Sequence, residues 1–232
     1  MAANLNVLFI ILAEISLTLI IIIGDYYIFE SLKLIQFLNK LIGLSERFTR
    51  ALLDNSSHCA ISIISWSICT YPNLNIYEIL ATGMIGSLID LDHFISAKSF
   101  QLIDAISLEK RPFLHNTLTL LIINIFIFFV LLYYSSNDKC LMITFLIFQS
   151  WFSHHCRDAN RRGLWFGSFY TTPPIKTSLY LLILLVQPLL IRYFVFRKND
   201  FIISSIFNLV KFNNSSNNNN ISLANRNNYH VV

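Results

Sequence analysis

The 232-residue chain is 55% hydrophobic and only 13% charged, with a mean hydropathy of +0.58 and a formal net charge of +4. That composition excludes an ordinary soluble domain, and nothing in it forms a nucleic-acid-binding module. Cys59, Cys69, Cys140 and Cys156 lack CxxC spacing, which excludes a zinc ribbon and a disulfide framework.

The first apolar run, Leu5–Ile23, is interrupted mainly by Glu14. It would reach about 28 Å as a helix, close to the hydrocarbon thickness of a bilayer. It has no basic leader and no small-residue cleavage site, so a retained signal anchor over residues 1–24 is expected. Residues 25–50 carry apolar positions at helical spacing with charges between them, the pattern of an amphipathic helix lying on a membrane surface. Further spans are predicted near Leu52–Tyr71, Tyr77–Ile95, Thr117–Tyr134, Cys140–His154 and Thr177–Phe196. The expected fold is therefore an all-α multi-pass transmembrane bundle of about six spans, with the bundle proper over residues 51–200. Beyond it, Phe201–Phe212 reads as a second amphipathic segment, and the asparagine-rich end up to residue 232 as a disordered tail.

Basic residues set orientation. Lys33, Lys40, Arg47 and Arg50 follow the first span; Lys98, Lys110 and Arg111 lie between the third and fourth; Arg157, Arg161, Arg162 and Lys176 lie between the fifth and sixth. Alternating spans put all three groups on one side, which is then cytosolic. Arg192, Arg197, Lys198, Lys211 and Arg226 fall on the opposite side and run against this pattern. An integral membrane protein is expected, with the endomembrane system as its setting.

Five of the six histidines fall at predicted span ends on that same face. His58 opens the second span, Asp90, Asp92 and His93 close the third, His115 opens the fourth, and His154, His155 and Asp158 close the fifth. On a helix, Asp90 and His93 share a face, and Asp158 is within reach of both His154 and His155. Neutral imidazoles and carboxylates are good ligands for zinc, manganese or iron, and a carboxylate also orients a ligating histidine. Ionisable groups are costly in a bilayer, so a cluster of them there indicates function. His58, Asp90, His93, His115 and His154 are the candidate ligands, with His155 as a further imidazole. Asp92 or Asp158 would serve as an orienting carboxylate or general base. Arg111 would hold an anionic group by a forked contact.

RALLDNSSHC (50–59), SLIDLDHF (87–94), KRPFLH (110–115) and SWFSHHCRDANRRGLW (150–165) resemble the transmembrane protein 267 family, over roughly residues 48–185. In the same order these motifs resemble, more distantly, the bacterial inner-membrane metal-dependent hydrolases. His58, Asp90, Asp92, His93, Arg111, His115, His154 and Asp158 match that pattern, while Ile89, Lys110 and Asn116 stand where it has proline, histidine and serine. The resemblance implies a membrane-embedded, metal-dependent hydrolase, and from the site's position at the membrane face a lipid or lipid-linked substrate would be reachable. The alternative is a non-catalytic multi-pass protein whose polar cluster holds the helices together or binds a partner.

Overall fold

Helices account for all the regular structure in a computed structural model of the chain, which describes residues 2–24, 32–43, 45–134 and 137–193. They are α1 (Ala2–Ile22), α2 (Leu32–Ile42), α3 (Glu46–Thr70), α4 (Ile76–Leu88), α5 (Leu91–Ala97), α6 (Leu102–Ile106), α7 (Thr117–Tyr134), α8 (Asn137–Arg162) and α9 (Thr177–Ile191), with a single 3-10 turn at Phe113–His115 before α7. Of the segment expected to be amphipathic, Leu32–Ile42 is helical, with Ile35 buried and Phe37 and Leu41 exposed. Residues 201–212 and the asparagine-rich tail lie outside the described residues.

Local chemistry fixes the ends of the site-bearing helices. Ser45 Oγ caps α3 by accepting from the Phe48 amide at 3.4 Å, and Glu46 pairs with Arg50 one turn on at 3.0 Å. Asn75 caps α4 by accepting from the Tyr77 amide at 2.9 Å. Helix α8 stops at Gly163, whose φ of +74° favours glycine. A Cβ there would stand 1.9 Å from the Thr172 carbonyl oxygen, so the loop after α8 folds directly back across the helix end.

Two long helices, α3 and α8, lie against each other at the centre. Around them, α3 also packs on α1, α4 and α9, and α8 on α4, α7 and α9. Leu17 and Ile21 of α1 meet Ile61 and Ile68 of α3, Cys156 of α8, and Tyr180 and Leu184 of α9 in one apolar core. A smaller core joins Ile89, Leu120 and Trp151, and the Trp151 indole donates to the Leu114 carbonyl at 2.9 Å. The outer face of α7 is bare hydrocarbon: Ile122, Ile125, Phe126 and Phe129 are all more than half exposed. An unpartnered apolar face of that extent suits lipid, not water.

Two helical stretches, Ile76–Ala97 and Thr117–Tyr134, are long and apolar enough to cross a membrane; Asn6–Ile22 and Thr177–Ile191 are apolar but shorter. The segments expected as spans two and five are parts of longer helices. His58 sits midway along α3, and α8 continues two turns past His154. The added turns are polar, yet their Asp54, His58, Arg157 and Arg161 side chains meet one another across the α3–α8 contact. A hydropathy reading assigns such residues to water and so ends the helices early.

Candidate metal centre

The polar residues of the central helices converge where α4 ends. Gly86 lets α4 approach α3 closely, since a Cβ there would lie 2.3 Å from Ser62 Oγ. The bare Gly86 carbonyl accepts from His154 Nδ1 at 2.8 Å. That bond leaves His154 Nε2 as an acceptor pointing away from Gly86. His115 is held the same way: its Nδ1 lies 3.2 and 3.3 Å from the two carboxylate oxygens of Asp92, which also accepts from the Leu114 amide at 2.7 Å. Asp92 is completely buried behind this imidazole. A histidine whose far nitrogen is fixed by a carbonyl or carboxylate is the usual arrangement of a metal ligand.

The two Nε2 atoms are 3.3 Å apart. Asp90 Oδ1 lies 3.4 Å from that of His115 and 3.6 Å from that of His154. Asp158 Oδ2 lies 3.3 and 3.6 Å from the same two atoms. These separations bring four donor atoms together, and two triads, His58–His154–Asp158 and Asp90–His93–His115, also have their donor atoms within 4.8 Å of one another. A tetrahedral zinc with bonds of about 2.0–2.2 Å requires edges of roughly 3.3–3.6 Å. Octahedral manganese or magnesium would require shorter neighbouring edges, about 3.0 Å. The donor types suit zinc, and the five separations lie in the range of tetrahedral edges.

Electrostatics agree with this fit. The carboxylates of Asp158, Asp90 and Asp92 all lie against the ring nitrogens of His115. Asp158 in turn meets both His115 and His154. Three carboxylates round one imidazole make surroundings that favour a cation.

The remaining candidates lie around this core. His58 stacks on His154 with ring centroids 3.7 Å apart, and its Nε2 accepts from Arg157 Nη1 at 3.1 Å while lying 3.6 Å from Asp158 Oδ1. His93 donates from Nδ1 to the Ala105 carbonyl at 3.1 Å and meets His115 edge-on at 4.8 Å. Both nitrogens of His155 are engaged, Nε2 donating to the Leu114 carbonyl at 2.8 Å and Nδ1 lying 3.3 Å from the Thr117 hydroxyl. The Arg111 fork closes on the end of α8, donating to the carbonyls of Arg162 and Gly163. Lys110 is exposed. A cavity of about 20 Å³, enough for a water, adjoins His115 and Asp158 and is also lined by His93, Arg111, Arg162 and Trp165.

Sequence reasoning overlooked Asp54. Its carboxylate pairs with the buried Arg157 and, at 3.1 Å, with Arg161, which in turn holds Asp158 Oδ1 at 3.0 Å. Arg157 and Arg161 thus turn inward instead of facing lipid headgroups. The available signal was spacing: Asp54 precedes His58 by one helical turn, and Arg157 and Arg161 are one turn apart.

Mouse (Mus musculus) transmembrane protein 267 is 34% identical to this chain over 149 residues, covering 63% of the chain and 69% of the relative. The chain belongs to the transmembrane protein 267 family. The cattle (Bos taurus) member is 38% identical over 136 residues, and the zebrafish (Danio rerio) member 37% over 142. Those alignments cover 58% and 60% of this chain and 63% and 64% of the two relatives, so the chain spans under two thirds of their length. No protein-family model matches the chain, and no solved structure does. The resemblance to bacterial metal-dependent hydrolases finds no support in these comparisons. Membership makes this a membrane protein, in keeping with the bare apolar face of α7.

Proposed function

We propose that this transmembrane protein 267 family member carries a mononuclear zinc site at one face of a multi-pass bundle of about six spans, and that the site is hydrolase-like. The tetrahedral spacing of His115 Nε2, His154 Nε2, Asp90 Oδ1 and Asp158 Oδ2 carries the reading. The basic residues on the same side support a cytosolic orientation. Zinc held by three of these residues, with its fourth position open, would polarise a scissile bond and lower the pKa of a water toward ~7.

The chain's own groups supply the rest. Asp92 and the Gly86 carbonyl orient the two imidazoles, and Arg161 takes one oxygen of Asp158 so that the other faces the centre. The cavity beside His115 and Asp158 admits a water-sized group. From this position a lipid or lipid-linked substrate is within reach of the site. A second reading rests on the donor count. Four protein ligands make a closed tetrahedral site, the form used to tie structure together.

Elemental analysis of detergent-purified protein tests both. We expect about one zinc per chain, lost in His154→Ala and in Asp90→Ala. Zinc at background level in the wild type would remove the proposal. Stoichiometric zinc with turnover of an ester reporter that disappears in His115→Ala supports the hydrolase-like reading. Stoichiometric zinc without turnover supports the structural one.

A further inference from the structure

Four arginines gather at the end of the bundle that holds the histidines, and their charges are balanced unequally. Arg157 and Arg161 face Asp54, and Arg161 also faces Asp158. Arg111 and Arg162 form no ion pair with a carboxylate among the described residues. Instead they sit beside each other. Arg111 donates to the backbone carbonyl of Arg162, and both side chains line the water-sized cavity that adjoins His115 and Asp158. Burial, and then the neighbouring like charge of Arg162, hold Arg111 below its ordinary pKa. The anion nearest them is the Asp158 carboxylate in the same cavity lining, and an ion held by Asp158 would take up that charge and leave the two guanidinium groups open to another anion.

We propose that Arg111 and Arg162 receive the phosphate group of a phosphate-ester substrate at the mouth of this cavity. The inference rests on the zinc reading, because an anion beside Asp90 and Asp158 needs their charge offset. Phosphate suits the pair better than a carboxylate does. It carries close to two negative charges and enough acceptor oxygens for the Arg162 fork and for the N–H groups that Arg111 keeps beyond its two carbonyl bonds, whereas one fork satisfies a carboxylate. The cavity is too small for a whole phosphate, so one oxygen enters beside His115 while the others stay with the arginines. Hydrolysis there forms a bond from a water oxygen to phosphorus, breaks the phosphorus–oxygen bond to the alcohol, and sends the water's proton out on that alcohol.

Calorimetric titration of the full-length, zinc-loaded protein with inorganic phosphate tests this, with zinc content measured in the same samples. Arg162→Gln should weaken phosphate binding about tenfold or more with zinc content unchanged. Arg162 makes no side-chain hydrogen bond among the described residues, so this change spares the fold. Arg111→Gln should act in the same direction. Arg47→Gln, an exposed residue in the first turn of α3, should leave binding as it was. Repeating the titration in phosphatidylcholine nanodiscs with and without phosphatidic acid separates the sources. Competition by phosphatidic acid assigns the phosphate to a lipid headgroup, and its absence to a soluble ester; both keep the proposal. Zinc-loaded protein that ignores phosphate, or an Arg162→Gln protein that binds as tightly as wild type, overturns it and leaves the zinc site standing. Protein without zinc that still binds phosphate through Arg162 would keep the anion site and remove the metal. Protein that binds neither removes both.

Discussion

Asp92 is fully buried, yet its charge decides how His115 presents its other nitrogen. Asp92→Asn keeps the size and the acceptor for the Leu114 amide but removes the negative charge. We expect zinc affinity to fall about 10–100-fold with little loss of fold, read by competition against a chelator of known affinity. Unchanged affinity would show that Asp92 serves only to hold the turn at Phe113–His115. Asp54 acts differently, because it neutralises an arginine whose side chain is wholly buried. Asp54→Ala should lower stability by about 3–5 kcal/mol, since the buried Arg157 guanidinium loses its carboxylate partner. Thermal unfolding in detergent measures it, and a stability within error of wild type would mean that Arg157 finds another partner.

At the scale of helices, the approach of α3 and α4 sets the site as much as any ligand does. The Gly86 carbonyl reaches His154 because no side chain holds α4 away from Ser62, which itself packs on Ser153 at 3.0 Å. Gly86→Ala should cost about 1–3 kcal/mol through overpacking and should also weaken zinc retention, because the His154 bond shifts with the backbone. Stability loss without metal loss would separate packing from ligation. This approach was not legible in the sequence, where Gly86 is one small residue in an apolar run. The histidines and aspartates were legible as a set, because they recur at the ends of apolar segments. Their division into ligand, orienting and peripheral groups was not, since it depends on which nitrogen of each ring is already bonded. His155 illustrates the point: it is adjacent to His154 in sequence, but the rotation of about 100° per residue along α8 directs it to the Leu114 carbonyl. How far α3 and α8 run beyond their apolar stretches was not legible for a related reason, because Asp54 and Arg157 pair with each other across the two helices.

For the molecule as a whole, the depth of the site follows from helix length. Helix α4 runs from its Asn75 cap to Leu88, about 20 Å of rise, before the chain reaches Asp90. If Ile76 enters the hydrocarbon layer of ~30 Å, the His/Asp cluster lies well inside the far boundary, where unpaired charges are expensive. Pairing Asp54 with Arg157 and Arg161, and Asp90 and Asp158 with a cation, offsets that cost. Helices α5 and α6 and the loop after Gly163 lie against the cluster, where His93 bonds the Ala105 carbonyl and Trp165 lines the cavity. This arrangement requires the stretch Ile76–Ala97 to cross. A reporter tag inserted after Asn73 should therefore be detected on the lumenal side and one after Leu108 on the cytosolic side, with no glycan on Asn55. Protease protection in intact and permeabilised microsomes reads the two tags, and endoglycosidase treatment reads Asn55. If both tags report one side, the chain re-enters between them, and α4 is a helix packed within the bundle instead of a span. The centre would then keep its geometry but lose its access from the cytosolic membrane surface, and a lipid substrate would be the first part of the functional reading to fail.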